Sequence, residues 1–464
     1  MVLYFIAKAQ KPEIYQWGYK MKRHSLNGIG LNRVAWWNLS KTTGPTDKLT
    51  LKSEGFEPSS DHEMSKHGRI LVAMSGGIDS SLAAVMLHDE GYEVIGMTMK
   101  TWDYASSGGT KKETGCCSLD SINDARNISV SLGFPHYILD IRAEFGDAVI
   151  DHFTGEYLEG RTPNPCVMCN THIKWDALLR RADRLDCELI ATGHYANIRL
   201  VTTTPVVRQS EQDHQDTGEP LHGGDSAGRY VISKGVDTLK DQSYVLWGVS
   251  QESLRRTKLP LGHLRKTEIR EMATERGFIE LVNKSESYEI CFVPDNDYRG
   301  FLKRRVPGLE AEVAGGNFVM EGTGKIMGKH EGYPFYTIGQ RKGLGMAFGQ
   351  PMFVTEIRKE TNEVVLGVDT DLFRDGMMVG KLNLQKYDRI VGSLDTVTKV
   401  RYKDAGTRAM ISQTRDPRTG NDQMEVLFEQ GVSAIAPGQA AVFYEGDDVV
   451  GGGWITKSFR RDGV

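Results

Sequence analysis

The sequence predicts an α/β protein built on a doubly wound parallel sheet and followed by small β-rich segments. Three observations carry that expectation. Residues 70–74 (Ile-Leu-Val-Ala-Met) form an unbroken apolar run, as a strand buried on both faces requires. Strand-like and helix-like spacings then alternate as far as residue 192. Beyond residue 300 the pattern changes to short alternating runs separated by Gly and Asp turns.

Taken in order, Ser75, Gly76 and Gly77 break the first strand, and from Ser80 the apolar spacing becomes Leu82, Val85, Met86 with a stop at Gly91, a helix of about three turns. A strand over 92–99 and a polar loop over 100–114 follow. Next come an amphipathic helix from Ser121 to Leu132 ending at Gly133, a strand over 136–141 and a helix over 145–159. After a Pro-rich turn at 161–170, Ile173, Ala177, Leu178 and Ala182 mark a helix, and 188–192 is a short buried strand. The polar stretch 201–229 reads as a surface insertion, and 266–276 as a further helix. Runs at 352–357, 363–368, 397–402, 424–428 and 440–444 suit two small β domains with a boundary near 370–378; no repeat or coiled coil is visible.

The chain has 464 residues, enough for two or three domains, with 39% hydrophobic and 25% charged residues. No stretch approaches the roughly 18 apolar residues of a membrane span. A net charge of −4 leaves nucleic-acid contact to local basic patches. Six cysteines (116, 117, 166, 169, 187, 291) in so long a chain do not make a secreted disulfide framework, so a Cys-x-x-Cys points to catalysis or metal binding in a reducing compartment. Residues 1–63 lack period, contain six acidic residues and end in a polar, turn-rich stretch. They are expected to be an extension outside any domain, the working protein starting near Met64.

The turn at 75–81 can be a tight serine-capped βα connection or an anion site. For the second, glycines admit backbone N–H groups close to a phosphate, a helix N-terminus faces it, and Ser75, Ser80 and Ser81 add donors. No Gly-Lys-[Ser/Thr] follows, so this is not a Walker loop. Cys166 and Cys169, stiffened by Pro163 and Pro165, precede a helix whose N-terminus lowers a thiol's pKa; they are nucleophiles, metal ligands or buried structural thiols. Zinc would need a second spaced pair, which adjacent Cys116 and Cys117 do not supply; Cys187 has no evident role. Cys291 between Ile290 and Phe292, and His194 at a strand end, each admit a core or a functional reading. Lys240, Asp241 and Gln242 form a polar loop without a legible mechanism. Arg341 and Lys342, held between Gly339 and Gly343, suit either a phosphodiester contact or a solvated turn.

Ser-Gly-Gly-x-Asp-Ser at 75–80 resembles the pyrophosphate loop of N-type ATP pyrophosphatases. Together with the strings at 115–118, 160–170, 191–195, 240–244, 290–292, 336–345 and 437–439, in that order, the chain from 68 to 456 resembles the tRNA-specific 2-thiouridylases. The resemblance implies an ATP pyrophosphatase domain over 64–299, a small central domain over 300–372 and a C-terminal β-barrel over 373–464. It implies that ATP, with Mg²⁺, is held by Ala73, Met74, Ser75, Gly76, Gly77, Ile78, Asp79, Ser80, Met99 and Gly193. A wobble uridine would be adenylated at O2 and sulfur inserted at C2. A sulfur carrier or cysteine desulfurase relay would load Cys291, with Cys169 as partner nucleophile. The resemblance also implies tRNA contacts at Asn164, Pro165, Cys166, His194, Lys240, Asp241, Gln242, Arg401, Tyr402 and Gln439, with Arg341 and Lys342 added from the basic turn. A monomeric cytoplasmic enzyme without membrane contact is expected.

The usual family pattern has Asp where this chain has Cys166, and a thiol of reference pKa about 8.5 cannot copy a carboxylate of about 3.9. Cys166, Cys169 and Cys291 would instead suit either persulfide chemistry or three-thiolate ligation of a 4Fe–4S cluster, as in related tRNA thiolases. Rival readings are another adenylating ligase of the same superfamily, disfavoured by the absence of a recognisable glutaminase, and a non-catalytic RNA-binding protein, disfavoured by the intact loop and cysteines.

Overall fold

The computed structural model describes residues 65–102, 118–202, 207–208, 228–284, 290–293 and 295–461. The expected extension 1–63, Met64, Cys116, Cys117 and most of the insertion at 201–229 lie outside the described residues.

Strand β1 (Arg69–Ala73) is the axis of the first sheet. Ile70 and Val72 pack with Leu82 and Val85 of helix α1 (Ile78–Asp89) on one face, and Leu71 packs with Trp175, Leu178 and Ile190 on the other. That two-sided cover explains the unbroken apolar run. β2 (Glu93–Lys100) and β3 (His136–Asp140) extend the sheet on one side of β1. β4 (Leu189–Ala191) and, later in the chain, the two-residue β8 (Thr257–Lys258) extend it on the other. All four pairings in the order β3-β2-β1-β4-β8 are parallel. The order reverses between β1 and β4, so the crevice for a ligand opens above the ends of those two strands. β8 was not anticipated, being too short to show a period.

Helix α2 (Leu119–Leu132) is capped by Ser118, whose hydroxyl accepts from Ser121 N, and stops at Gly133 with φ 79°. The helix expected over 145–159 begins earlier, at Arg142–Phe145, and passes through a π turn (Gly146–Ile150) into α3 (Asp151–Leu158). A second π turn (Asn170–Lys174) joins the one-turn α4 (Pro165–Cys169) to α5 (Trp175–Arg184). Among the described residues no helix is long and apolar enough to cross a membrane.

β5 (Ala196–Val201) and β7 (Arg229–Lys234) form an antiparallel hairpin around the insertion, within which β6 (Val207–Arg208) is described. A four-stranded sheet then has the order β10-β9-β12-β11, from β9 (Asn317–Met320), β10 (Ile326–Lys329), β11 (Phe353–Arg358) and β12 (Glu363–Gly367). The last six strands are β13 (Phe373–Leu384), β14 (Val391–Lys399), β15 (Thr407–Arg415), β16 (Asp422–Ser433), β17 (Ala440–Glu445) and β18 (Asp448–Phe459). They run in the order β13-β16-β15-β14-β17-β18 and close through β13–β18 around Met377, Val379, Ile411, Val426, Phe443 and Ile455. The strand expected over 397–402 starts earlier and ends at Lys399. Arg401 and Tyr402 sit in a turn that Asp404 closes by accepting from Val400 N at 3.0 Å.

The hairpin is tied to the barrel by backbone pairing of Ser233 with Asp448 and by an ionic cluster around that aspartate. Asp448 is buried and accepts from Ser233 Oγ (2.7 Å), Lys386 Nζ (2.9 Å) and the Arg199 guanidinium. Burial alone would raise its carboxyl pKa, but the hydrogen bonds from Arg199, Ser233 and Lys386 outweigh burial and hold it below the usual range. A depressed folded-state pKa contributes stability present above the unfolded value of about 3.9 and lost as pH falls through the folded value. Asp448→Asn is therefore expected to cost about 2–4 kcal/mol at pH 7, read as a lowered melting temperature, and to flatten the loss of stability below about pH 4. An unchanged melting temperature would refute the clamp.

Candidate active site

The chain leaves β1 at the crevice through Ser75, Gly76 and Gly77 and enters α1 at Ile78. Ser75 N donates to Ser80 Oγ at 2.9 Å, Ser80 Oγ donates to Gly77 O at 3.2 Å, and the two serine hydroxyls lie 3.1 Å apart. These bonds curl the loop over the first turn of α1, whose N-cap, Gly77, makes no side-chain cap bond. Unsatisfied helix N–H groups therefore face the crevice, the arrangement that attracts a phosphate.

Two contacts leave no room for a side chain. Gly76 has φ +70°, and a Cβ there would lie 1.9 Å from Ser121 O in the first turn of α2. A Cβ on Gly193, just past β4, would lie 2.7 Å from Ser80 N. The loop is thus pressed between the N-terminus of a second helix and the end of the neighbouring strand. Its entry is pinned by Met74, whose N–H donates to Met97 O (2.8 Å) and whose carbonyl accepts from Thr98 Oγ1 (2.7 Å). Thr98 Oγ1 also lies 2.8 Å from His136 Nε2, an imidazole that burial lowers to about 4 and keeps neutral.

Asp79, the loop's carboxylate, is engaged by Lys266 Nζ at 2.6 and 2.8 Å and by the Tyr195 hydroxyl at 2.6 Å. Lys266 is buried at the start of α6 (Lys266–Glu275), 187 positions away. A second cation, Lys284, closes α7 (Ile279–Asn283) and reaches Gly76 O at 3.1 Å.

The neighbouring cleft is built around α4. Asn164 caps this helix, its side chain accepting from Val167 N at 3.3 Å, while its Nδ2 lies 3.5 Å from Gln439 Oε1. Gln439 Nε2 in turn donates to Pro163 O (2.8 Å) and Thr162 O (3.2 Å), docking a turn of the barrel on the Pro-rich segment. Cys166 is exposed to solvent and lies near Tyr402. Burial pushes its thiol up, and Lys174 opposes that less strongly. The expectation that the helix N-terminus lowers this pKa is thus corrected: α4 is one turn long, and its Val167 N–H is already capped by Asn164. Tyr402 hangs over the same cleft, its hydroxyl donating to Asp241 O at 3.2 Å and its ring 6.0 Å from Tyr244.

Three family profiles match the chain: tRNA methyl transferase HUP domain over residues 68–295, tRNA methyl transferase PRC-barrel domain over 299–368, and aminomethyltransferase beta-barrel domain over 374–455. The chain is 67% identical to the tRNA-specific 2-thiouridylase MnmA of Cytophaga hutchinsonii, across 86% of this chain and 100% of that protein. It is 65% identical to the enzyme of the same name from Amoebophilus asiaticus (85% and 97% covered) and 52% identical to that of Salinibacter ruber (84% and 95%). The chain belongs to the tRNA-specific 2-thiouridylase family.

The residues expected from the family pattern fall into two groups in this 2-thiouridylase fold. Ala73 through Ser80, Met99 at the carboxyl end of β2, and Gly193 border the switch-point crevice. Asn164, Pro165, Cys166, Asp241, Tyr402 and Gln439 gather at the α4 cleft. His194 lies between Thr192, whose Oγ1 is 2.7 Å from Nδ1, and the Trp175 ring at 5.7 Å, and it shares the nearby charge of Lys174 with Cys166. Burial drives His194 down to about 3, so it acts as a neutral hydrogen-bonding ring. Gln242 bonds the backbone of Tyr195 in both directions, at 2.9 Å each, and so ties the 240–242 loop to the end of β4. Arg401 donates to Ser433 O at 3.0 Å. Arg341 and Lys342 are exposed on the loop before β11, and the Gln340 and Arg299 contacts that shape the loop stay within the segment around the four-stranded sheet.

Cys169 is buried in the core that also holds Phe292, and Cys291 is half-buried against it. Phe292 is wedged edge-on against Phe145 and Phe153, with ring centroids at 5.9 and 5.1 Å, which anchors the segment carrying Cys291. Among the described residues no three His, Cys, Asp or Glu side chains gather where a metal ion would sit. Of the three thiols named for a cluster, Cys169 is buried, Cys291 is half-buried and Cys166 is exposed. Lys266, Lys284, Tyr195 and Lys174 were not expected as site residues. Only Tyr195 carried a local signal, by its place in the turn after β4.

Gly193→Ala tests the tight contact. The added methyl must push β4 away from the first turn of α1, and nucleotide affinity is expected to fall at least about tenfold, by about 1.4 kcal/mol or more. Isothermal titration with ATP and a melting curve check this; wild-type affinity would show that the contact does not shape the loop.

Proposed function

We propose that this chain is an ATP-dependent tRNA sulfurtransferase that adenylates the wobble uridine at O2 and replaces that oxygen with sulfur, forming 2-thiouridine. The observation that carries the reading is the chain of contacts from a lysine-free phosphate loop to an exposed cysteine: Asp79 bonds Tyr195, Tyr195 bonds Gln242, and Tyr402, the neighbour of Cys166, bonds Asp241. In this division of labour residues 64–299 activate the base, while 300–372 and 373–464 help to hold the RNA. The protein acts as a monomer in the cytoplasm.

Residues 73–80, Met99 and Gly193 hold ATP so that uridine O2 attacks the α phosphate and pyrophosphate leaves. Preorganised N–H groups of the loop and the α1 terminus stabilise the charge that develops on the transferring group. Asp79 is already bound by Lys266 and Tyr195, so Mg²⁺ would arrive on the nucleotide's own phosphates and supply further charge neutralisation there. Asn164, Pro165, Cys166, His194, Lys240–Gln242, Arg401, Tyr402 and Gln439 receive the anticodon loop, whose bases can be splayed into a cleft, and Arg341 with Lys342 contacts its backbone.

For sulfur transfer, a carrier protein or cysteine desulfurase relay leaves a persulfide on Cys291. Its terminal sulfur attacks C2 and AMP departs with the former O2. The Cys169 thiolate then attacks Cys291 Sγ, a Cys169–Cys291 disulfide forms, and both electrons of the broken S–S bond stay with the sulfur on C2. A thiol reductant restores both cysteines. Ligation of a 4Fe–4S cluster by Cys166, Cys169 and Cys291 is the alternative route, and no step here runs through it.

Mass spectrometry of tRNA nucleosides from a deletion strain is expected to show loss of 2-thiouridine; undiminished 2-thiouridine defeats the assignment. Complementation separates the sulfur routes. Cys169→Ser and Cys291→Ser should abolish 2-thiouridine while retaining tRNA-dependent pyrophosphate release. Cys166→Ser should keep at least about a tenth of the activity, about 1.4 kcal/mol, because one neutral donor replaces another. Complete loss in Cys166→Ser, together with loss of bound iron, would favour the cluster instead.

A further inference from the structure

Lys284 reaches the phosphate loop from 208 positions downstream. Its ammonium donates to Gly76 O (3.1 Å), Ser121 Oγ (3.0 Å) and Asp124 Oδ2 (2.8 Å). Gly76 is the loop's first glycine, and Ser121 stands in the first turn of α2, so the cation sits where the loop meets the second helix N-terminus. Both ends of the ion pair are partly open to solvent, Lys284 at 33% and Asp124 at 23%. The other nearby cation, Lys266, is 10% exposed and bound to both oxygens of Asp79.

A Walker loop carries its phosphate-binding lysine within its own sequence. This loop has none, yet the fold brings an ammonium to its mouth, held by a single carboxylate. An ammonium on a flexible stem can exchange partners without moving the backbone, and a polyphosphate offers more negative charge than one aspartate. We propose that Lys284 is a phosphate-positioning residue of the ATP site. Its Nζ leaves Asp124 for a non-transferred phosphate oxygen when ATP binds, keeps its bond to Gly76 O, and stays with the pyrophosphate as that leaves. Asp124 is the placeholder that holds the cation in position beforehand. The assignment rests on the reading of residues 75–80 as an ATP loop.

The test compares wild type, Lys284→Gln, Lys284→Arg and Asp124→Asn in the full chain. It uses ATP titration without tRNA, kcat and KM for ATP in tRNA-dependent pyrophosphate release, and a separate tRNA-binding titration. Lys284→Gln is expected to lower kcat/KM for ATP at least tenfold and to weaken ATP binding, with tRNA affinity within twofold of wild type. Lys284→Arg should restore most of the loss, and Asp124→Asn, which frees the cation, should bind ATP as tightly as wild type or more tightly. The proposal is overturned if Lys284→Gln binds and uses ATP like wild type. It is equally overturned if Asp124→Asn loses as much as Lys284→Gln, the behaviour of a purely structural clamp. Should Lys284→Gln fail to fold, Lys284→Arg against Asp124→Asn decides by the same signs. A wild-type protein that binds ATP but releases no pyrophosphate with tRNA would refute the adenylation reading, while the ATP titrations would still judge Lys284.

Discussion

Two backbone contacts that admit no side chain govern the crevice at the 75–81 loop. Gly76 lies against the Ser121 carbonyl and Gly193 against the Ser80 amide, at distances where a Cβ would have to displace main chain. Because main chain cannot give way as a flexible side chain can, the N-terminus of α1, the N-terminus of α2 and the end of β4 converge on one small volume. N–H dipoles gathered in that way cost no reorganisation when charge develops between them. The serine bonds within the loop, the Met74 tether and the Lys284 contact all serve a geometry that those two glycines make possible.

The cleft beside it depends on a longer-range connection. Gln439 in the barrel donates to the carbonyls of Thr162 and Pro163 and faces Asn164, and Asn164 caps the helix that carries Cys166 and Cys169. Gly438, at φ +89°, lets the barrel turn approach, since a Cβ there would lie 2.8 Å from Thr162 O and Glu156 Oε2. The barrel therefore helps to set the position of the thiols. The Asp448 cluster fixes the same barrel to the β5–β7 hairpin at a second place, and two separated attachments restrain rotation far better than one.

The parallel sheet, the phosphate loop and the switch-point crevice were legible in the sequence because each rests on local pattern: an apolar run, paired glycines, a change of period. The convergence of Asn164, His194, Asp241, Tyr402 and Gln439 was accessible only through family resemblance, since no spacing relates residues so far apart. Lys266 and Lys284 escaped both routes. A lysine in a polar helix end looks like any solvated lysine until the fold carries it 187 or 208 positions back to the loop. The raised thiol of Cys166 was misjudged for a related reason. Helix-terminus effects can be read from order along the chain, but the desolvation that overrides them here depends on what the fold packs around the thiol.

That raised thiol bears on how the proposed route can run with Cys166 where the resemblance implies a carboxylate. A thiol that holds its proton at neutral pH donates a hydrogen bond but cannot serve as a base. On the proposed route neither sulfur-transfer step requires a base there. Adenylation has already converted O2 into part of a phosphate ester, and AMP leaves as a stable anion without first being protonated. The attacking persulfide is a better nucleophile than water and is more easily ionised than an ordinary thiol. On that route the demand that remains at position 166 is orientation of the base, and a neutral, exposed thiol meets it. On the proposed route a thiol at position 166 in place of a carboxylate therefore changes the local electrostatics more than the chemistry of the exchange.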